Sequence, residues 1–586
     1  MNNYELNRTK QYKHKTSLLK TMRKFAPLLA GEQLNLIIAF LALIISSALT
    51  LATPIIVGIT IDTYIQKKQY EGVLINGGIL FIIFIGAFFA SYIQTKYIGG
   101  VGQRLLFTLR NKIFIKLQQL PIVFFNLNKS GDLISRINSD TDNLNQFFSQ
   151  ALMQFIGNLV TMAGAAIFIL IINIKLGIPA LLPAVLVLVL TQFISPWVKR
   201  KNATNLQSVG GMSAEIQESL DNFKVIVAFN RRDYFRKRFT LVNQTNFSTA
   251  VGAGVANNIF TPLYGLAANF AQIVVLFYGI YLITTSSFMI GLLISYLSYV
   301  NRFYDPIRQI AGLWSSFQLA LASWDRISEI LALESDLKII PATEKEANGI
   351  LEFKQVYFKY PTGKDVLKDI NFTLESGKTY ALVGPTGGGK TTTASLMARL
   401  YDPTKGTVFL DGKDIRSYRE AERTKKIGFI LQEPFLFTGT VRDNILYGNE
   451  DYIKYSNEQL EALLHENKLE GLLERFDQGL DTPVMSHGDA ISLGQRQLIA
   501  FIRAILRKPE LLILDEATAN IDTVTEKLLE EILEKLPKET TRVIIAHRLN
   551  TIENADVIFF VNSGTITRAG SLKHALSMLL EGKSES

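Results

Sequence analysis

A glycine-rich loop between an apolar strand and a helix is the most specific chemical signal in this sequence. Residues 384–391, GPTGGGKT, fit the pattern G-x-x-x-x-G-K-[ST], after the apolar run TYALV and before the helical pattern TTTASLMARL. In such a loop, glycines let backbone N–H groups approach phosphate oxygens, and a helix N-terminus faces the negative charge. We predict a phosphate-binding loop in which Lys390 reaches the β- and γ-phosphates and Thr391 ligates Mg²⁺. The residues expected to contact a nucleotide here are Gly384, Pro385, Thr386, Gly387, Gly388, Gly389, Lys390, Thr391 and Thr392.

Two carboxylates end a second apolar strand, LLILDE at residues 511–516. A carboxylate at the end of a buried strand costs desolvation energy unless a cation or a water uses it. Phosphoryl transfer depends mainly on positioning and on charge neutralisation. We therefore expect Asp515 to hold the Mg²⁺ shell and Glu516 to polarise the attacking water. Taken alone, the pair is equally compatible with a solvated strand end.

A third stretch, ISLGQ at residues 491–495, resembles the LSGGQ signature found only in ATP-binding-cassette (ABC) proteins. Many other phosphate-loop families lack this signature, so the chain is identified as a member of the ABC superfamily. The resemblance implies an α/β phosphate-loop domain that binds ATP and Mg²⁺ and hydrolyses ATP. It also implies that Ser492, Leu493, Gly494 and Gln495 contact the ATP held by a partner cassette.

Further motifs match the ABC pattern residue by residue. Tyr360, in VYFKYP, resembles the A-loop aromatic that stacks on adenine, and Gln432, in GFILQEP, resembles the Q-loop glutamine that senses Mg²⁺ and the membrane domain. Asp522, in ATANID, matches the D-loop, and His547, in IIAHRLN, matches the switch histidine that contacts the γ-phosphate. Taken alone, His547 would be an ordinary surface or core histidine. The resemblance implies that Glu516, His547 and Gln432 act in hydrolysis and that Gln432 joins the magnesium ligands.

Six long apolar stretches precede the phosphate loop in this chain of 586 residues, of which 48% are hydrophobic. Each is close to the ~20 residues that a helix needs to cross hydrocarbon. The sixth is interrupted near its end by Arg302, Asp305 and Arg308. We therefore predict an α-helical domain of six membrane spans. The stretches cover residues 34–61, 73–97, 147–172, 176–198, 257–283 and 288–304.

The distribution of basic residues orients these spans. Lys and Arg number seven in residues 1–33, six in 98–146 and nine in 199–250, whereas the short loops between spans carry three. By the positive-inside rule, the N-terminus, the two long connections and the cassette are expected to be cytoplasmic. We expect an integral protein of a bacterial cytoplasmic membrane, without a cleavable signal peptide.

The two long connections resemble those of the exporter class of ABC proteins, in which they carry helices that press on the cassettes. Residues 120–140 resemble the first intracellular loop, residues 215–229 resemble the second, and residues 304–331 resemble the helix that leaves the membrane. The implied domains are a membrane domain at 1–331, a linker at 332–348 and a nucleotide-binding domain at 349–586.

One phosphate loop and one signature make this chain a half-transporter, because an ABC site takes each motif from a different cassette. A second cassette is therefore required, and the site built on Lys390 should hydrolyse ATP. Leu493 in the signature and the run Met485, Ser486 and His487 before it depart from the homodimeric exporter pattern. They resemble the catalytically intact half of bacterial heterodimeric multidrug exporters. We expect a heterodimer, with a homodimer as the alternative.

The later spans contain aromatic and amide side chains and few ionisable ones. Scarce intramembrane charge argues against an ion pump, and aromatic and amide linings suit amphipathic compounds, including cations. We expect export of amphipathic or hydrophobic compounds, drugs first, by alternating access. Flipping of lipids or lipid-linked molecules and peptide export are the alternatives, and helix packing or lipid contact competes for any single side chain. The residues expected to line the substrate path are Phe270, Gln272, Tyr296, Tyr299 and Phe303.

Several other classes are disfavoured. The chain has no cysteine, which excludes disulfides, thiolate metal sites and a fused cysteine peptidase. The predicted spans separate it from soluble ABC ATPases. The presence of Glu516 and His547 argues against ABC-type channels or regulators, which commonly lose a catalytic residue. Nucleic-acid binding is not expected, because cytoplasmic loops beside anionic lipid explain the net charge of +9.

Overall fold

The structure, a computed structural model, divides the chain into two compact units. The helical unit comprises Asn7–Gln118 and Ser130–Ala332, and the α/β unit comprises Met1–Leu6, Gln119–Lys129 and Leu333–Ser586. The residues that the structure describes are 4–6, 30–285, 288–335, 337–341, 346–361, 363–467, 469–485, 491–515, 523–534, 536–545 and 552–581.

Long helices form the helical unit, as its apolar runs predict. The helices are α1 Gln33–Ile59, α2 Tyr70–Gln118, α4 Ser130–Ser135, α5 Thr141–Gln146, α6 Leu152–Ile172, α7 Ile174–Asp221, α8 Phe223–Ala228, α9 Arg232–Asn258, α10 Phe260–Thr284 and α11 Ile290–Ala332. π-helical segments at Thr60–Ile65, Arg136–Asp140 and Phe147–Ala151 continue their neighbours. With 49 and 48 residues, α2 and α7 are more than twice the length that crosses hydrocarbon. The long connections therefore begin as continuations of these helices.

Five helical stretches among the described residues are long and apolar enough to cross a membrane. They are Gln33–Ile65, Tyr70–Gln118, Ser130–Ile172, Ile174–Asp221 and Arg232–Thr284. The sixth predicted span lies at the start of α11, which does not reach the same hydropathy because Asn301, Arg302 and Asp305 follow its apolar run. Within the described residues, five spans are thus supported by length and composition, and the sixth stays a prediction.

The α/β unit contains two main sheets. A four-stranded antiparallel sheet has the order β2-β1-β4-β5, and a six-stranded sheet has the order β12-β11-β3-β10-β9-β6. In the second sheet all neighbours are parallel except β12, which pairs antiparallel with β11. The strands are β1 Leu351–Lys359, β2 Asp365–Leu374, β3 Thr379–Val383, β4 Lys405–Leu410, β5 Lys413–Asp414, β6 Ile427–Ile430, β7 Gly439–Thr440, β8 Pro483–Val484, β9 Leu511–Asp515, β10 Thr541–Ile545, β11 Val557–Asn562 and β12 Thr565–Arg568.

The α/β unit also contains helices. Their bounds are α3 Ile122–Leu127, α12 Lys390–Met397, α13 Glu420–Lys426, α14 Val441–Leu446, α15 Asn457–Glu466, α16 Glu470–Leu473, α17 Leu493–Ile505, α18 Thr523–Glu534 and α19 Leu572–Glu581. Leu498 and Phe501 of α17 lie in one buried core with Leu512 and Leu514 of β9. The phosphate loop follows β3, and Asp515 is the last residue of β9. Because the carboxyl ends of parallel strands lie at one edge of a sheet, the loop and the carboxylate lie at the same edge. The predicted fold class, a helical membrane domain followed by an α/β phosphate-loop domain, is confirmed.

Candidate functional site

The loop between β3 and α12 follows the backbone path that its glycines allow. Gly384 and Gly389 have φ angles of 148° and 114°, values that L side chains rarely adopt. A Cβ atom on Gly384 or Gly388 would also collide with the carbonyl oxygen of Val561, in the neighbouring strand β11. The glycines are therefore required by conformation and by space, which keeps the loop's N–H groups open to an incoming anion.

Lys390 is the first residue of α12, and only 6% of its surface is exposed. Its Nζ donates to the carbonyl oxygens of Gly384 and Pro385, at 2.9 and 3.1 Å. The ammonium group is thus held inside the loop at the N-terminus of a helix, where negative charge is favoured. Phosphate oxygens could replace these carbonyls as acceptors, which is the chemistry predicted for this lysine.

Thr391 and Asp515 come together although 124 residues separate them in the chain. The Thr391 hydroxyl donates to Oδ1 of Asp515 over 3.3 Å, and Asp515 is 4% exposed at the end of β9. A hydroxyl and a carboxylate fit Mg²⁺, which prefers oxygen ligands and takes few of them from protein when phosphates supply the rest.

Tyr360 follows β1 and lies beside the start of α12. Its hydroxyl oxygen is 3.2 Å from Oγ1 of Thr392, and its ring makes edge contacts with Phe358 and Tyr401 at centroid distances of 4.9 and 5.5 Å. Burial raises the pKa of Tyr401, so its hydroxyl stays neutral and can both donate and accept hydrogen bonds. The predicted adenine-stacking ring is therefore supported by a second tyrosine that the sequence reasoning missed.

The signature residues form the start of α17. Ser492 is the N-cap, with its Oγ accepting from the backbone N–H of Gln495, while Oε1 of Gln495 accepts from the backbone N–H of Ser492. Leu493, half-buried, is the first helical residue, and Gly494 behind it is buried. This reciprocal cap fixes the helix end and leaves its remaining N–H groups available to an anion.

Gln497, one turn further along α17, is a second residue that the sequence reasoning missed. It is fully buried, and its Nε2 donates to the backbone carbonyl of Gln432 over 2.9 Å. The bond joins the predicted Q-loop to the signature helix. A signal was present in the sequence, since Gln497 ends the run ISLGQRQ, but only packing distinguishes its role from that of Gln495.

Several predicted residues lie outside the described residues. These are Glu516, Asp522 and His547, together with Ser486 and His487 before the signature. Their proposed roles stay predictions.

The residues expected to line a substrate path fall into two groups. Tyr296 and Tyr299 of α11 are fully buried, and their hydroxyls donate to the backbone carbonyls of Asn173 at 3.4 Å and Leu51 at 2.6 Å. Phe303 packs against the same core cluster. On α10, Phe270 is exposed, and the amide of Gln272 donates to the side-chain oxygen of Asn301. In this conformation the two tyrosines therefore serve helix packing.

Two family models match the chain. The model described as ABC transporter transmembrane region matches residues 36–307, and the model described as ABC transporter matches residues 367–519. The two matches lie one after the other in a single chain.

Curated relatives cover most of this chain. It is 32% identical over 557 residues to an uncharacterised ABC transporter ATP-binding protein, YfiC, of Bacillus subtilis (strain 168), covering 94% of this chain and 91% of the relative. It is 31% identical to the probable multidrug resistance ABC transporter ATP-binding/permease protein YheH of the same organism, covering 87% and 76%. It is 30% identical to the ATP-dependent lipid A-core flippase of Pasteurella multocida (strain Pm70), covering 96% and 97%. The chain therefore belongs to the ABC transporter family, as an ATP-hydrolysing exporter chain in which membrane region and ATP-binding domain are fused.

Proposed function

We propose that this chain is one half of an ATP-driven exporter that moves amphipathic or hydrophobic compounds, drugs among them, out across a bacterial cytoplasmic membrane. The observation that carries the proposal is the phosphate loop, with Lys390 inside it and Thr391 bonded to Asp515, in a chain that also holds five apolar helices long enough to span a membrane. The domains proposed are 1–331 for the membrane, 332–348 for the linker and 349–586 for the nucleotide, with the N-terminus and the nucleotide domain in the cytoplasm.

In the proposed mechanism each residue has a separate task. Tyr360 stacks on adenine, and Lys390 exchanges its loop carbonyls for β- and γ-phosphate oxygens. Thr391, Asp515 and Gln432 would hold Mg²⁺, which neutralises phosphate charge when bound. The carboxylate next to Asp515, Glu516, accepts a proton from the attacking water, and His547 donates to the γ-phosphate.

Exporters of this family work as dimers, and the partner completes the proposed site. The signature cap at Ser492 and Gln495 would face the partner's nucleotide. We favour a related, non-identical partner because Leu493 adds bulk at the first helical position of the signature. ATP binding would close the two cassettes, hydrolysis would release them, and the membrane helices would alternate between inward-facing and outward-facing states.

The α/β unit also offers a surface for the partner. A cavity of about 310 Å³ opens beside the Q-loop, and its rim carries the exposed aromatic side chains Phe435, Phe437 and Tyr447. Solvent-exposed aromatic clusters of this kind mark interaction sites. We propose that a cytoplasmic loop of the partner chain docks there.

Lipid flipping is the alternative function. It rests on the Pasteurella relative, named a lipid A-core flippase, which matches 96% of this chain. The YheH relative, named a probable multidrug resistance transporter, matches at nearly the same identity, so the comparison favours neither substrate class. The two candidates share the ATP site and differ only in what the membrane helices carry.

The first experiment is ATP hydrolysis by this chain alone in lipid nanodiscs, with Glu516→Gln as the inactive reference. Glu516-dependent turnover supports self-assembly and the assignment of the base, whereas full activity in Glu516→Gln would overturn that assignment. A folded but inactive chain would indicate a non-identical partner, to be identified by co-purification. ATP-dependent uptake of a fluorescent amphipathic cation into inside-out vesicles, against flipping of a labelled phospholipid, then separates the two substrate classes.

A further inference from the structure

Residues 4–6 form a short buried segment of the α/β unit. Tyr4 and Leu6 are 2% and 3% exposed, whereas Glu5 between them faces solvent. The Tyr4 hydroxyl donates to the backbone carbonyl of Glu334 over 2.9 Å. Alternate burial is the pattern of an extended peptide lying on a surface. The segment is therefore packed like a bound ligand.

Asn128, just after α3, recognises the backbone of this segment. Its Oδ1 accepts from the N–H of Leu6 at 3.0 Å, and its Nδ2 donates to the carbonyl of Tyr4 at 2.8 Å. In a parallel sheet, each paired residue bonds the C=O of one residue and the N–H of the second residue after it in the neighbouring strand. The side chain of Asn128 makes the same two bonds to Tyr4 and Leu6. The same Nδ2 donates to the carbonyl of Phe124 at 2.7 Å. The amide is buried, so losing the segment would leave polar groups unpaired.

The same end of α3 also contacts the tyrosine pair beside the phosphate loop. Nδ2 of Asn126 donates to the hydroxyl of Tyr401 at 2.9 Å, and Tyr401 makes the edge contact with Tyr360. A cavity of about 340 Å³ between these contacts is lined in part by Tyr4, Tyr401 and Val123. A helix of six residues is not stable by itself, so α3 depends on its partners at Asn126 and Asn128.

We propose that the cleft beside α3 is a peptide-binding site whose occupant is the chain's own segment Tyr4-Glu5-Leu6. Asn128 binds the extended backbone, and the buried side chains of Tyr4 and Leu6 select the sequence Tyr-Xaa-Leu. Because the segment is covalently tethered, its effective concentration is about millimolar, and weak intrinsic binding keeps it in place. The tethered segment, residues 4–6, can dissociate from the cleft. Its dissociation would release α3 and let a peptide of the pattern Tyr-Xaa-Leu bind in its place. The inference goes beyond the proposed function, since its tests measure accessibility and not transport.

Labelling of single introduced cysteines tests whether residues 4–6 are bound in the cleft. The chain has no cysteine, so no native thiol reacts with the reagent. We expect a thiol reagent such as a polyethylene glycol maleimide to modify the full-length Leu6→Cys variant at least about tenfold more slowly than Glu5→Cys, the exposed neighbour. Equal rates would overturn the proposal. Adding Asn128→Leu to the Leu6→Cys variant should raise the rate of thiol modification to that of Glu5→Cys. An unchanged rate would show that Asn128 does not bind the segment.

A synthetic peptide of residues 1–8, MNNYELNR, tests the binding site in trans. At millimolar concentration it should compete with the tethered segment and raise labelling of Leu6→Cys, whereas the same peptide with alanine at positions 4 and 6 should not. In a chain lacking residues 1–6, amide hydrogen exchange of 122–127 should accelerate at least about tenfold, and the native peptide should reverse the change. Equal effects of the two peptides, or unchanged exchange after the deletion, would contradict the proposal.

Discussion

Lys390 in the α/β unit and Arg136 in the helical unit are both cations removed from solvent, with 6% and 1% of their surface exposed. Acidic side chains neutralise Arg136: its Nε lies 3.1 Å from Asp132 and its Nη1 lies 2.8 Å from Glu329. Lys390 donates to carbonyl oxygens of its own loop. A phosphate can take over from a carbonyl, whereas pulling an arginine away from two carboxylates leaves buried charge unpaired. Two buried cations thus differ in their described contacts, since Lys390 holds carbonyl oxygens that a phosphate can replace and Arg136 holds two carboxylates.

Hydroxyl groups of α11 are neutral groups whose partners can be compared in the same way. Prolines 54 and 183 lie inside α1 and α7, where each removes a backbone N–H and disturbs the carbonyls one turn before it. Hydroxyls of α11 donate to carbonyls near both prolines: Ser295 to Pro54, Tyr299 to Leu51 and Tyr304 to Ala180. Tyr304 also accepts from the N–H of Ala184. These hydroxyls are already paired with backbone groups of neighbouring helices, so they are structural in this conformation.

The largest expected effect tests the structural cation. Arg136→Ala should cost about 3–5 kcal/mol of unfolding free energy, because it leaves the carboxylates of Asp132 and Glu329 without their buried partner. All three tryptophans of the chain lie in the helical unit, so tryptophan fluorescence during unfolding reports this unit. The matched control is Arg236→Ala, at a solvent-exposed ion pair with Asp233, which should change stability little. Similar losses in both variants would refute the distinction.

The second prediction concerns the ligand-binding cation. Lys390→Ala should lower ATP hydrolysis by about 10²–10³-fold, because one preorganised charge on the phosphates is lost. The unfolding of the helical unit, followed by tryptophan fluorescence, should be unchanged. Lys378→Ala, at an exposed pair with Glu375, is the control and should keep full activity. If Lys390→Ala kept its ATP hydrolysis activity, Lys390 would not be a phosphate-binding cation, and its contrast with Arg136 would be wrong.

The third prediction separates the ring of Tyr360 from its hydroxyl. Tyr360→Ala should weaken ATP binding by about 1–3 kcal/mol, the usual value of a base stacked on an aromatic side chain. Tyr360→Phe loses only the contact with Thr392 and should bind ATP nearly as well as the unmodified chain. Titration with a fluorescent ATP analogue measures both. Equal weakening in the two variants would assign the role to the hydroxyl instead.

The smallest effect is expected at the α11 hydroxyls. Tyr299→Phe should cost about 1 kcal/mol, because the carbonyl of Leu51 loses its donor while the stack of the ring on Phe168 is kept. Tyr281→Phe, at an exposed ring, is the control. If Tyr299→Phe leaves unfolding of the helical unit unchanged and instead alters transport, Tyr299 belongs to the substrate path as first expected.

Local patterns in the sequence were sufficient for the phosphate loop and for the long helices. Glycines at 384, 388 and 389, with Lys390 behind them, encode their conformation within eight residues, and the structure brings Thr391 to Asp515 as their roles require. The apolar runs likewise predicted helices, and five of the six predicted spans are long and apolar enough to cross a membrane. The roles proposed for Glu516, Asp522 and His547 stay predictions from the sequence.

Contacts between distant segments could not be predicted in this way. The sequence indicated aromatic side chains on α11, but whether Tyr299 faces a substrate or a backbone carbonyl depends on how α11 packs against α1, some 240 residues earlier. The sequence by itself therefore determined the family, the ATP chemistry and the helical character of the membrane region, because short-range spacing encodes them. Only the tertiary structure decided which polar groups are already paired, at Arg136, Tyr299 and Asn128, because each finds its partner through packing of segments far apart in the chain.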